Sequence, residues 1–267
     1  MSYITPLLNS LMMAAKKAGN GLTRDFNEIE KLQSSVKGHK EFVAAAFAKV
    51  EKTLRTELAK AKPDYPFAVD GAKRPDGPYF AVAPLDGVVN FAHGVPHFAI
   101  SIAVCDKDTV TAAVVYNPAT DELYFAERGN GAFKEGFRNH ERLRVSSRKD
   151  VAEALVSTEV KYRENISEYN VIRDRIMPAV GDMRILGATA LDLAYVAAGK
   201  FDATVSFANG LSAVAAGLLL IKEAGGYIYE INQKDIRSEN LALVLDSGNV
   251  IGSNANLSGS IHALLNK

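Results

Sequence analysis

The spacing of apolar residues changes character near residue 150, and that change confines the chain to a layered arrangement of helices and sheets. Before it, Leu7, Leu8, Leu11, Met12, Ala15 and Ala18 recur at helical spacing, and the glycines at 19 and 21 are expected to end that helix or loosen it. A second amphipathic pattern occupies residues 41–60 through Val43, Ala46, Phe47, Val50, Leu54 and Leu58, and stops at Pro63 and Pro66. Short strands are expected at 67–69 and 80–82, with a turn-rich polar stretch, 71–78, between them. Further strands at 98–104, 110–116 and 122–127, the last two joined by Asn117-Pro118-Ala119-Thr120-Asp121, have the turn chemistry of an antiparallel meander. After Val145 the texture alternates: strand at 154–158, helix at 166–180, helix at 189–198, strand at 203–207, helix at 213–224 and strand at 227–230. The expected organisation is an N-terminal half, 1–150, and a more α/β half, 151–267. With no internal repeat and no long linker, the two are expected to pack as one globular unit.

The 267 residues, 48% of them hydrophobic, can bury a large core. Lys and Arg total 31, as do Asp and Glu, so the charge balance gives no sign of a nucleic-acid or anionic-membrane partner. Function must come from a local site. The single cysteine, Cys105, excludes an internal disulfide framework and a thiolate metal cluster, and points to a reducing, cytoplasmic compartment. The first residues, Met1-Ser2-Tyr3-Ile4-Thr5-Pro6, lack a basic n-region, and no apolar stretch reaches the roughly 18 to 20 residues that span a membrane. Neither export nor insertion is expected.

The segment Ala83-Pro84-Leu85-Asp86-Gly87-Val88-Val89-Asn90-Phe91-Ala92-His93-Gly94-Val95-Pro96 follows a predicted buried strand and forces a sharp turn. Such turns present backbone N–H groups to anions. Taken alone, Asp86 before Gly87 reads first as a cap of the following turn. In context, the stretch resembles the signature Asp-Pro-Ile/Leu-Asp-Gly-Thr-x-Asn-Phe-x-His-Gly of the inositol monophosphatase family. The resemblance continues through Pro96-His97-Phe98, Val115-Tyr116-Asn117-Pro118, Gly129-Asn130-Gly131-Ala132-Phe133, the whole of 187–202, Val214-Ala215-Ala216-Gly217 and Glu223-Ala224-Gly225-Gly226. It implies an α/β (α+β) fold, the layered αβαβα sandwich of the inositol monophosphatase and fructose-1,6-bisphosphatase type, assembled as a homodimer. It also implies Mg²⁺-dependent phosphomonoester hydrolysis, in which carboxylates gather the metal ions that bind phosphate and activate water.

Carried across position by position, the resemblance leaves that machinery incomplete. The first metal-binding Asp of the signature falls at Ala83, the carbonyl donor at Leu85, and the second Asp at Asp86. The water-orienting Thr is Val88, and its partner Asp on the preceding helix is Phe47. The family's Glu-Glu falls at Asp70-Gly71, its later Trp-Asp at Ser212-Ala213, and an acidic residue that meets substrate hydroxyls at Ser206. The degenerate catalytic positions are therefore Phe47, Gly71, Ala83, Val88 and Ala213. What survives is a vestigial metal set of Asp70, Leu85 and Asp86, with Mg²⁺ binding expected to be weak or absent, and the backbone N–H groups of Gly87 and Val88 as an anion site. The expected function is that of a pseudophosphatase which binds a phosphorylated small molecule or a protein partner. The alternative is a surviving Mg²⁺-dependent phosphatase acting on inositol or sugar phosphates. His93, His97 and Asp192 are read as structural, and 134–142 as a polar surface insertion. No Walker A, nucleophile elbow or dinucleotide fingerprint occurs.

Overall fold

The computed structural model describes residues 4–32, 39–160, 166–207, 209–236 and 240–266. Met1, Ser2 and Tyr3 of the N-terminal reading lie outside them. Two long helices come first, α1 (Pro6–Leu32) and α2 (His39–Ala61). The expectation that the glycines at 19 and 21 interrupt α1 is corrected: the helix runs through both. A Cβ on Gly19 would stand 2.4 Å from the ring of Tyr116, so this glycine lets α1 lie close against the sheet rather than ending it.

The first sheet is an antiparallel meander of β1 (Pro78–Asp86), β2 (Ala99–Asp106), β3 (Thr109–Asn117), β4 (Glu122–Glu127), β5 (Gly131–Lys134) and β6 (Glu141–Arg142), in that spatial order. Residues 67–69 do not form the expected strand; only Phe67 bridges, to Phe80. The stretch read as an insertion includes the end of β5 and the short β6.

The second sheet runs β10 (Tyr227–Tyr229), β11 (Val250–Ser253), β9 (Ala203–Phe207), β7 (Leu155–Val160) and β8 (Asp182–Arg184), with β7 parallel to both β8 and β9. Its connections are helical: α4 (Ile166–Ile176), α5 (Thr189–Ala197), α6 (Leu211–Glu223) and α7 (Leu241–Ser247). A last helix, α8 (Ala255–Leu265), follows β11. A short helix, α3 (Val88–Ala92), follows β1.

Three buried clusters define the layers. Leu11, Leu54, Phe98 and Val114 join α1 and α2 to the outer face of the first sheet. Ala103, Val115, Leu193, Val214 and Val250 join its inner face to α5, α6 and the second sheet. Val156, Tyr169, Val205 and Ile261 cover the far side of the second sheet with α4 and α8. Helices α5 and α6 are apolar nearly all round because sheets lie on both sides of them. The order is α, β, α, β, α, as the resemblance implied.

Candidate functional site

Strand β1 does not end cleanly. Its pairing with β2 slips between Ala83 and Asp86, where Pro84 has no N–H to give to a ladder. The bulge directs the chain into Gly87, which has φ 82° and caps α3 without any side-chain bond. A Cβ there would meet the carbonyl oxygen of His97 at 2.9 Å and the side chain of Ala188 at 3.1 Å, so the turn is packed tightly between these two segments. Asn90 holds it from the far side, donating from Nδ2 to the carbonyls of His97 (2.7 Å) and Leu186 (2.6 Å). His97 in turn contacts the fully buried Asp192 at 3.1 Å, which agrees with the structural reading of both. Burial pushes the Asp192 carboxyl upward, against the pull of His97.

The turn opens on a cavity of about 550 Å³. Most of the residues singled out in the sequence meet there: Phe47, Asp70, Ala83, Leu85, Asp86, Gly87, Val88 and Ala213 all line it. Ser206 does not join them; it is buried in β9 with its hydroxyl 3.4 Å from that of Thr204. Gly71 lines an adjacent cavity of about 320 Å³ that shares Asp70 and Asn209 with the first.

Asp70 and Asp86 both accept from the first turns of helices. Asp86 Oδ2 accepts from the backbone N–H of Ala190 at 2.7 Å, in the first turn of α5 and 104 residues away. Asp70 accepts from the N–H of Ser212 (3.0 Å) and from its hydroxyl (2.7 Å) in the first turn of α6. Carboxylates at helix N-termini are favoured by the free N–H groups and the helix dipole. Among the described residues, no group of three or more His, Cys, Asp or Glu side chains is placed to hold a metal ion.

Other lining residues carried no motif. Glu51 and Arg55 follow Phe47 at every fourth residue, which puts them on its face of α2 and is the signal that could have found them. Arg55 donates from Nε to Glu51 at 2.9 Å, and its guanidinium lies 4.7 Å over the ring of Phe67. Glu159, near the end of β7, and Asn209, two residues beyond β9, meet at the buried hydroxyl of Thr189. Nothing local in the sequence marks them, because only the crossing of the second sheet brings them together.

Comparison with known proteins places this architecture in a family. The model described as "Inositol monophosphatase family" matches residues 4–267. The inositol-1-monophosphatase of Rhizobium meliloti (strain 1021) is 41% identical over 272 aligned positions, covering 98% of this chain and 96% of that one. The Nus factor SuhB of Escherichia coli (strain K12) is 34% identical, with 84% of each chain covered. The crystal structure of the extragenic suppressor protein suhB from Bartonella henselae, in its native form, superposes with a TM-score of 0.83 at 34% identity, covering 98% of this chain and 99% of that one. The chain belongs to the inositol monophosphatase family. No helix among the described residues is long and apolar enough to cross a membrane.

Proposed function

We propose that this chain is an inositol-monophosphatase-like protein that acts by binding, without turnover. The observation that carries this reading is the lining of the cavity. Phe47, Ala83, Val88 and Ala213, the positions to which the resemblance assigns metal ligands and the groups that orient water, present apolar side chains to it. The two acids that remain, Asp70 and Asp86, each serve a helix N-terminus.

When bound, Mg²⁺ would supply Lewis-acid stabilisation and an activated water. Asp70, Asp86 and the carbonyl of Leu85 are a thin donor set for that role, and Mg²⁺ so held would be weakly bound. Phosphate monoesters are among the slowest substrates to hydrolyse unaided, with enzymatic accelerations of up to roughly 10²¹. A cavity that merely receives phosphate, at the Gly87 and Val88 N–H groups, does not approach that. The occupant is a phosphorylated small molecule or a protein partner. Relatives that carry the name Nus factor SuhB, a name that is not an enzyme's, fit the second.

The halves 1–150 and 151–267 act as one unit in this reading, since Asp70 and Asp86 of the first cap helices of the second. A homodimer in the cytoplasm is the expected form.

One observation favours the alternative of a surviving Mg²⁺-dependent phosphatase: both acids line one cavity, in a chain 41% identical to a relative named as an inositol-1-monophosphatase. Phosphate release from a panel of inositol and sugar phosphates in millimolar Mg²⁺, beside an Asp86→Asn control, separates the two. The binding reading expects no release from either protein. Release by the wild type that the variant lacks would establish the alternative.

A further inference from the structure

We propose that a second cavity, set between the β4–β5 turn, the C-terminal end of α6 and the start of α7, binds a small oxyanion, a phosphate or a carboxylate, carried on an apolar body. This cavity and the one beside the β1–α3 turn share no lining residue, so what occupies one is chemically separate from what occupies the other.

The space measures about 330 Å³. That is near the lower end of the range for small-molecule sites, which limits the body of an occupant to about one ring or a short chain. Its floor is hydrocarbon from three elements: Val110 of β3, Leu218 and Leu219 of α6, and Leu241 of α7. The first three of these are buried, and they form a fixed surface. The polar groups around that floor are of one kind. Arg128, Lys222, Thr109 and Asn240 bring a guanidinium, an ammonium, a hydroxyl and an amide, and each of them can donate. Asn240 uses its Oδ1 to accept from the N–H of Leu243 at 3.4 Å, which leaves its NH₂ as the group for an occupant. Asp108 is the one carboxylate among the described lining residues, and Arg74 Nη1 already holds it at 2.7 Å. An occupant that satisfies such a rim accepts hydrogen bonds and carries negative charge.

The two cations reach one rim through a clamp. Arg128 precedes the glycine turn between β4 and β5, and Lys222 stands in the last turn of α6. Glu223, beside Lys222, joins the two: its Oε1 accepts from the N–H of Gly129 and its Oε2 from the N–H of Gly131, each at 2.8 Å. Both glycines have positive φ, 80° and 92°, a conformation that lets alternate N–H groups converge on one anion. The oxygens of Glu223 are thus taken by backbone N–H groups and not by either cation. Arg128 is fixed at its base as well, since its N–H donates to the carbonyl of Thr111 at 3.0 Å. Yet its guanidinium has no hydrogen bond, ion pair or ring contact among the described residues. Arg55, Arg74 and Arg148 are each tied to a carboxylate. Arg128 alone of these four keeps its whole donor fork for a planar or tetrahedral oxyanion.

The test is NMR titration of the full chain, labelled at its Val and Leu methyls, with phenyl phosphate, benzoate and the neutral benzyl alcohol. Saturable shifts at Val110, Leu218, Leu219 and Leu241 with phenyl phosphate or benzoate, and none with benzyl alcohol, are the expected result. The tighter of the two anions identifies the head group. In the same spectra Leu54, Val82, Leu85 and Val88 report on the cavity beside the β1–α3 turn. Arg128→Gln is expected to weaken binding about fivefold, the scale of an exposed charge pair, without moving the melting temperature. Arg128→Gln combined with Lys222→Gln is expected to abolish it. Shifts confined to Leu54, Val82, Leu85 and Val88 overturn this proposal and leave the reading of that other cavity standing. An equal response to benzyl alcohol overturns it too, because the apolar floor alone would then explain binding. So does undiminished binding by the double variant, or the absence of any shift at Val110, Leu218, Leu219 and Leu241 with millimolar anion.

Discussion

Two carboxylate neighbourhoods in this protein have opposite characters. At the junction between residues 146–155 and the start of β9, Asp202 is buried and accepts from Ser146 Oγ (2.5 Å), Arg148 Nε (3.0 Å) and the backbone N–H of Leu155 (2.8 Å). Every element of that cluster serves the fold: it anchors the start of β7 and, through Ser146, the side chain of Asn254, which caps α8. At the cavity, Asp70 and Asp86 each hold one helix end, and the positions around them are apolar. The difference teaches how the surroundings set what a carboxylate does. A buried charge is tolerable only with a full set of donors, so the junction admits little change. A cluster of carboxylates around metal ions is stabilised by those ions, and under the proposed non-catalytic reading the apolar lining needs none.

Substitutions can break that contrast. The largest effect is expected at the junction, where Asp202→Ala leaves the Ser146 hydroxyl and the Leu155 N–H without their acceptor and Arg148 with Glu153 as its remaining carboxylate partner. Chemical denaturation should register a loss of about 2 to 3 kcal/mol. Next comes the reverse experiment at the cavity. Restoring acids with Ala83→Asp and Ala213→Asp together puts new charges near Asp70 and Asp86, at a cost of about 2 kcal/mol without metal. Millimolar Mg²⁺ should recover that loss in the double variant while leaving the wild-type melting temperature unchanged. Smaller still, Asp86→Ala removes a cap of α5 and should cost about 1 kcal/mol, whether or not Mg²⁺ is present. If Mg²⁺ widens the difference between wild type and variant by stabilising only the former, Asp86 is a ligand and not merely a cap.

The smallest effect lies in the pH profile of a third carboxylate, Glu122. Burial pulls its pKa upward, but hydrogen bonds from Lys134 and Lys200 outweigh this and set it at about 2, below the ordinary 4.5. A depressed folded pKa gives stability that is complete above about pH 4.5 and is lost as the pH falls towards 2. Glu122→Gln should flatten that limb of the acid unfolding curve and leave neutral pH little changed.

Much of this was legible in the sequence. The meander, the alternation after residue 150 and the signature at 83–96 are local patterns, and the layered fold follows from them. The misreadings share one cause. Gly19 looks like a helix end until Tyr116, 97 residues on (116 − 19), is seen to need the space its missing Cβ leaves. The bond from Ala190 to Asp86 likewise spans too much of the chain for local pattern to show it. The strand expected at 67–69 shrinks to one bridge because the chain there faces the cavity and leaves the sheet. Glu159 and Asn209 entered the site only through tertiary contact. Local pattern identifies the elements, and their long-range partners decide what each polar group does.

The most direct test of the account is isothermal titration of the full chain with Mg²⁺, from micromolar to millimolar, alone and with inorganic phosphate. The account predicts no saturable Mg²⁺ binding in either case, and the same flat response from Asp86→Asn. Saturable binding that phosphate strengthens and Asp86→Asn removes would contradict it, and would return this chain to the metal-dependent phosphatases of its family.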